Sequence, residues 1–236
     1  MPQELNYWLT TVQVPAPPVQ PLPESTDVAI IGAGFTGLSA ALALAKRGAK
    51  VVVLESETIG WGASSRNGGM VLTGLKLGVN KLILMYGREL TRRMYAASLA
   101  TIDTVERIVK EENIACDFSR TGHLEVACKP AHFADYARQV EVIAREFNHQ
   151  LRVVPRDRLH SEIGSDIYYG GMVDEVSAGL NPARYVAGLA AAAMRAGAQI
   201  CERTRLQNIQ RESRGGAPGF KLNSSQGAIW ARNVLV

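Results

Sequence analysis

Residues 28–55 read VAIIGAGFTGLSAALALAKRGAKVVVLE, and this stretch decides the fold. Val28 to Gly32 opens it as a short apolar strand. Thr36 to Gly48 is rich in Ala and Leu at helical period and stops at a glycine suited to the position just past a helix end. Val51 to Leu54 is a second buried strand, closed by Glu55. The segment is therefore strand, helix, strand, with a tight glycine turn between its first two members. That turn, Gly32-Ala33-Gly34-Phe35-Thr36-Gly37, has the spacing G-x-G-x-x-G. Such a match is weak when it stands alone, but here the preceding strand and following helix supply the context it needs.

Each glycine has a physical task. The first permits the sharp exit from the strand, the second lets the backbone touch a pyrophosphate, and the third lets helix and strand pack closely. The helix then aims unpaired N–H groups and the positive end of its dipole at the phosphates. Glu55, about 20 residues past the turn at the carboxyl end of the second strand, is placed to accept hydrogen bonds from ribose hydroxyls. It would repel a 2′-phosphate, which disfavours NADP. A dinucleotide is expected, and this unit alone leaves NAD and FAD both open.

The segment after Glu55 is the deciding feature. A simple nicotinamide fold would soon enter another helix and strand, whereas this chain enters GWGASSRNGG, residues 60–69, with four glycines and two serines around one Trp, one Arg and one Asn. Glycine removes Cβ where something must approach the main chain, and Ser, Asn and Arg bond to oxygens and ring edges. Together with IIGAGFTGLSAALALAKRGAKVVVLE and the later GGMVDEVSAGLNPARYVAGLAAAAMRAGA, followed by Glu202-Arg203-Thr204, this loop resembles the D-amino-acid-oxidase-like FAD-dependent oxidoreductases, nearest the γ-glutamylputrescine oxidoreductase branch. The resemblance runs from about Asp27 to the end of the chain.

It implies FAD as cofactor, with Gly32, Ala33, Gly34, Phe35, Thr36 and Gly37 at the phosphates and Glu55 at the ribose. Ser64, Ser65 and Arg66 would contact the pyrophosphate and nearby flavin atoms, and Asn67, Gly68 and Gly69 would lie against the ring. Backbone groups near Leu206, after a strand over Glu202 to Thr204, would meet the adenine. It also implies oxidation of a C–N bond in a small amine or amino acid by hydride transfer to the flavin. In that family the strand ending at Val236 continues into a further stretch of comparable length, so the chain reads as an N-terminal part, and apolar sheet surface left uncovered would favour self-association. A truncated, non-catalytic nucleotide-binding remnant or interaction module is the alternative, with an NAD-linked dehydrogenase behind it. No side chain announces itself as the catalytic acid or base.

The rest of the sequence narrows the field. The 236 residues are 47% hydrophobic and 20% charged with a formal net charge of +4, which describes a globular protein with a real core. Clusters at Arg88 to Arg93 and Arg203 to Arg214 lack interleaved aromatics, so nucleic acid is not implied. Cys116, Cys128 and Cys201 are far apart, as are the four histidines, which argues for reduced thiols and no metal site. No apolar run is long enough for a membrane span, the N-terminus lacks a signal-peptide pattern, and a cytoplasmic location is expected.

Val14 to Pro23 is proline-rich and reads as an extended arm, with Tyr7 and Trp8 placed to dock it. Met85 to Asn113 reads as one amphipathic helix, Thr121 to Cys128 as a strand, and Phe133 to Phe147 as a second helix. Asn181-Pro182 is a helix start, with strands near Gln199 to Arg203, Gly219 to Asn223 and Ala228 to Val236. The expected fold is α/β: a Rossmann-like, three-layer FAD-binding domain over residues 27–80 and 181–236, following an arm over 1–26, with part of an α+β substrate domain over 81–180.

Overall fold

The computed structural model describes residues 5–236, so the first four residues of the expected arm lie outside the described residues. In chain order the elements are β1 (Ser25–Ile31), α1 (Phe35–Ala45), β2 (Val51–Leu54), β3 (Met70–Val71), α2 (Val79–Tyr86), α3 (Arg88–Glu111), β4 (His123–Val126) and α4 (Pro130–Phe147). Next come β5 (Arg152–Pro155), β6 (Gly170–Asp174), β7 (Ala178–Gly179), α5 (Pro182–Arg195), β8 (Gln199–Cys201), β9 (Leu206–Arg211), β10 (Phe220–Ser224) and β11 (Gly227–Leu235). The chain divides into two compact units, the first comprising Met1–Gly68, Val109–Cys116 and Asn181–Val236, the second Gly69–Ile108 and Asp117–Leu180.

In the first unit a six-stranded sheet has the order β8-β2-β1-β11-β10-β9. The strands β8, β2, β1 and β11 run parallel, and β9, β10 and β11 form an antiparallel meander. All four residues of β2 are buried, as a strand covered on both faces requires. Ala29, Val52, Leu54, Leu222, Ile229 and Ala231 make the core on one face, and Leu22 of the arm packs against it. The helices α1 and α5 pack on each other, and between Ala183 and Ala193 α5 buries Tyr185 together with a nearly continuous series of small and aliphatic side chains.

Both helices end as their sequences require. Gly48 (φ +83°) donates its N–H to Ala45, and Ala49 donates to Leu44, the paired bonds of a Schellman end. Gly197 (φ +99°) and Ala198 repeat the pattern after α5. At the start of α5 the Asn181 side chain accepts from the Arg184 N–H at 3.1 Å, with Pro182 at the first helical position.

The second unit holds a three-stranded antiparallel sheet, β4-β6-β5, and the short pair β3-β7. Against the sheet packs α4, through Phe133, Tyr136 and Val140 on Ala127 and Met172. Burial pushes the Tyr136 phenol up to about 12, helped by the Glu125 carboxylate. The single helix expected over Met85 to Asn113 is two: Gly87 adopts φ +77°, closes α2 with a bond to Ile83, and lets the chain turn into α3. The expected strand over Thr121 to Cys128 shortens to β4 because Gly122 is left-handed and Ala127 already bonds outside the ladder, to Gly170 and Tyr169.

A buried polar cluster fixes this unit. Asp174 accepts from Thr73 Oγ1, from Ser177 Oγ at 3.0 Å, from the Val176 N–H at 3.0 Å and from His149 Nε2 at 3.1 Å. His149 Nδ1 in turn lies 2.8 Å from the Tyr95 hydroxyl. Burial alone would raise the Asp174 pKa, but the His149, Thr73 and Val176 donors outweigh it and hold the carboxyl well below its ordinary value. Because the folded value is depressed, the stabilisation is present above the unfolded value of about 3.9 and is lost as pH falls through the folded one. Asp174→Ala strands four donors and is expected to cost about 3 kcal/mol at neutral pH. Urea unfolding as a function of pH checks this, and the gap between variant and unmodified protein should narrow as pH falls below about 4.

Candidate functional site

The glycine turn after β1 is built as the sequence demands. Gly32 has φ +97° and donates its N–H to Leu54 at 2.9 Å. A Cβ on Gly37 would stand 2.1 Å from the Gly32 carbonyl oxygen, a backbone atom that cannot move aside, so α1 lies against the turn only because residue 37 has no side chain. Gly34 differs: a Cβ there would meet nothing but the Ser64 hydroxyl, at 2.9 Å. Gly34 caps α1 without a side chain, and the first helical N–H, that of Phe35, donates to Ser64 Oγ at 3.0 Å. The Phe35 ring tilts against Tyr185 of α5 at 5.3 Å between centroids, and Thr36 is exposed in the first turn.

Glu55 locks the turn to the end of β2. One carboxylate oxygen accepts from the Ala33 N–H at 2.7 Å, and the other accepts from the Glu57 N–H at 2.8 Å and Ser56 Oγ at 3.3 Å. Three of its roughly four lone-pair positions are thus used, and one is left for a further donor. The expected strand over Glu202 to Thr204 is instead a turn: Arg203 is left-handed at φ +52°, which ends β8 at Cys201 and directs the N–H groups of Arg203 and Thr204 to Glu57 and Glu55. Leu206 opens β9 after this turn, half-buried against the sheet core. Glu202 Oε1 accepts from the Ile59 N–H at 2.7 Å, so β8 supports the loop after β2.

That loop folds into a short 3-10 turn, Ala63–Ser65. Ser64 faces the start of α1 through its bond to Phe35. Ser65 is fully buried, and its hydroxyl accepts from Asn6 Nδ2 at 2.8 Å. Arg66 bonds the Trp61 carbonyl at 2.8 Å and lies over the Trp61 ring at 5.2 Å, while Asn67 bonds the carbonyls of Ala63 and Ser64. Gly68 ends the first unit; Gly69, φ +72°, belongs to the second, where its carbonyl accepts from the Leu180 N–H. Local bonds therefore bring together Gly32 to Gly37, Glu55 and Ser64, with Ser65 to Asn67 on the same loop and Leu206 apart. Sequence reading missed Asn6, Tyr185 and the support role of Glu202. Only Glu202 carried a signal, its place just after a short strand next to β2.

In chemical terms the turn offers a helix N-terminus, a position without Cβ and an adjacent hydroxyl, a donor set that suits a diphosphate. The second unit has a cavity of about 230 Å3 whose lining includes Leu72, Leu82, Tyr95, Glu125, Met172 and Asp174, and among the described residues no Lys or Arg lines it. Burial raises the pKa of Tyr95. Among the described residues no group of three or more His, Cys, Asp or Glu is arranged to hold a metal ion, and no helix is long and apolar enough to cross a membrane.

A mixed sheet whose parallel strands carry a glycine turn after β1 and an acid closing β2 defines a dinucleotide-binding protein. The chain belongs to the family described as FAD dependent oxidoreductase, whose model matches residues 27–236. FAD is that family's cofactor, and membership decides between the two dinucleotides that the glycine turn leaves open. The chain is 36% identical, over 90% of its length, to the probable oxidoreductase OrdL of Haemophilus influenzae, and 31% identical over 89% to the gamma-glutamylputrescine oxidoreductase of Escherichia coli. It spans about half the length of these curated relatives, 48% of each. In fold it is similar to glycine oxidase from Geobacillus kaustophilus, with a TM-score of 0.73 at 23% identity, over 90% of this chain and 55% of that one.

Proposed function

We propose that the first unit holds FAD along the Gly32–Gly37 turn and the loop from Gly60 to Gly68, and that the protein oxidises a C–N bond of a small amine or amino acid. The observation that carries this reading is the contrast between two glycines: at Gly37 a Cβ would strike backbone, whereas at Gly34 it would meet only a serine hydroxyl. The space over Gly34 is therefore not needed by the fold and is available to a phosphate. The N–H groups of the first turn of α1 donate to the diphosphate, Ser64 exchanges its bond to Phe35 for one to a phosphate oxygen, and Glu55 offers its remaining lone pair to a ribose hydroxyl. Ser65, Arg66, Asn67 and Gly68 border the flavin, and the backbone near Leu206 meets the adenine.

Bound FAD supplies the acceptor for a hydride from the carbon next to the amine nitrogen, leaving an imine that water hydrolyses. The chain's part is to orient the reactants and exclude solvent. We assign substrate recognition to the second unit. Its cavity pairs apolar walls with carboxylates, and among the described residues no Lys or Arg lines it, which suits the alkyl body and positive charge of an amine.

The test is spectroscopic. Purified protein, as isolated or after addition of FAD, is expected to carry the visible absorption of bound flavin and to lose it under anaerobic conditions when small amines or amino acids are added. A protein that takes up no flavin overturns the cofactor assignment. One that binds flavin but is bleached by none of them, across a broad panel, is a binding module and not an amine oxidoreductase.

A further inference from the structure

The arm ahead of β1 has no place in the phosphate turn, yet it ends on the flavin loop. Residues 7–11 form a short 3-10 turn, Tyr7–Thr11, started by the Asn6 side chain, whose oxygen accepts from the Trp8 N–H at 3.1 Å. The amide nitrogen of the same side chain donates to Ser65 Oγ at 2.8 Å. Asn6 is therefore held at one end by its own turn and reaches the loop with the other.

The far end of this turn is anchored as firmly. Thr11 Oγ1 accepts from Asn181 Nδ2 at 2.8 Å, and the Thr11 carbonyl accepts from Arg184 Nε at 3.2 Å. Asn181 has no freedom to drift, because its side-chain oxygen caps α5. Farther along the arm, Gln199 of β8 donates to the Pro21 carbonyl at 3.0 Å, and Leu22 packs on the sheet core. Of the two aromatics expected to dock the arm, Tyr7 is exposed and Trp8 half-buried, and polar bonds add to the packing of Leu22 in fixing the arm. Thr11 Oγ1 donates to the Trp8 carbonyl at 2.7 Å, so the series α5, Asn181, Thr11, Trp8, Asn6, Ser65 is a chain of hydrogen bonds that runs from a rigid helix start to the loop that borders the proposed cofactor.

Ser65 is the sensitive point. It is fully buried, so water does not replace Asn6 without the loop opening. Ser64, the next residue back, is the one whose hydroxyl faces Gly34 and Phe35. Fixing Ser65 therefore fixes where Ser64 stands over the phosphate position.

We infer that Asn6 is a positioning residue for the cofactor: a latch in the N-terminal arm that holds the Ala63–Ser65 turn in the shape that receives FAD. The latch rests on the assignment of FAD to this loop. It predicts that Asn6 controls the affinity for FAD more than the stability of the cofactor-free fold.

The experiment titrates FAD into cofactor-free protein for the unmodified chain, Asn6→Ala, Ser65→Ala and the double variant, with thermal unfolding of each cofactor-free form alongside. Asn6→Ala is expected to raise the Kd for FAD about tenfold, because the Ala63–Ser65 turn opens locally to hydrate Ser65 and must close again on binding, with the unfolding midpoint of the cofactor-free protein lowered by less than about 2 °C. Ser65→Ala is expected to do the same, and the double variant to be no worse than the weaker binder of the two, since both remove one interaction. A Kd within twofold of the unmodified value for Asn6→Ala, additive effects in the double variant, or an equal loss of cofactor-free stability overturns the latch while leaving the FAD assignment standing. No FAD uptake by the unmodified chain overturns both.

Discussion

Gly37→Ala is expected to destroy the first unit outright. A single added methyl group would sit 2.1 Å from the Gly32 carbonyl oxygen, a backbone atom that cannot yield without moving α1 off the sheet, and would press on Ile30 Cγ2 at 3.2 Å. Small domains are stable by about 5–15 kcal/mol in total, and backbone clashes of this kind belong to the rare substitutions that cost about 4 kcal/mol or more. The variant should be recovered largely insoluble, or should melt far below the unmodified protein when followed by circular dichroism. An unchanged melting curve would mean that helix and turn are not packed as described.

Gly34→Val is expected to show the opposite pattern, folding normally and failing to bind FAD. Its Cβ displaces only the Ser64 hydroxyl, which rotates away at small cost, so the melting temperature should stay within about 5 °C of the cofactor-free unmodified protein. The branched side chain then fills the space that the diphosphate needs next to the start of α1, and flavin uptake should vanish. Full flavin occupancy in this variant would show that the phosphates lie elsewhere. Together the two substitutions separate a glycine kept for packing from one kept for a ligand, although both belong to the same six-residue motif.

What could be read from the sequence was local. Glycine spacing, the Ala/Leu period and the apolar run at Val51 announced β1, α1 and β2, and Asn181-Pro182 and Gly197 marked both ends of α5, because each signal lies within a few residues of the structure it dictates. The strand β9 escaped notice since LQNIQR is mostly exposed and polar, and β6 because a strand that begins Gly-Gly looks like a loop until its five residues prove buried. Gly87 sat inside a helical period that continued on both sides of it, which hid the break between α2 and α3. The bonds around Asp174 and the bond from Asn6 to Ser65 join residues far apart in the chain, and such pairs leave no periodic trace.

The position of β11 bears on how the molecule is made. It pairs Ser25 with Trp230 and Ile30 with Leu235, lying inside the sheet between β1 and β10. During synthesis β1 therefore leaves the ribosome with one hydrogen-bonding edge that stays vacant until residues 227–235 have followed it out. Closing so long a loop is slow, and until then the waiting edge is open to other chains.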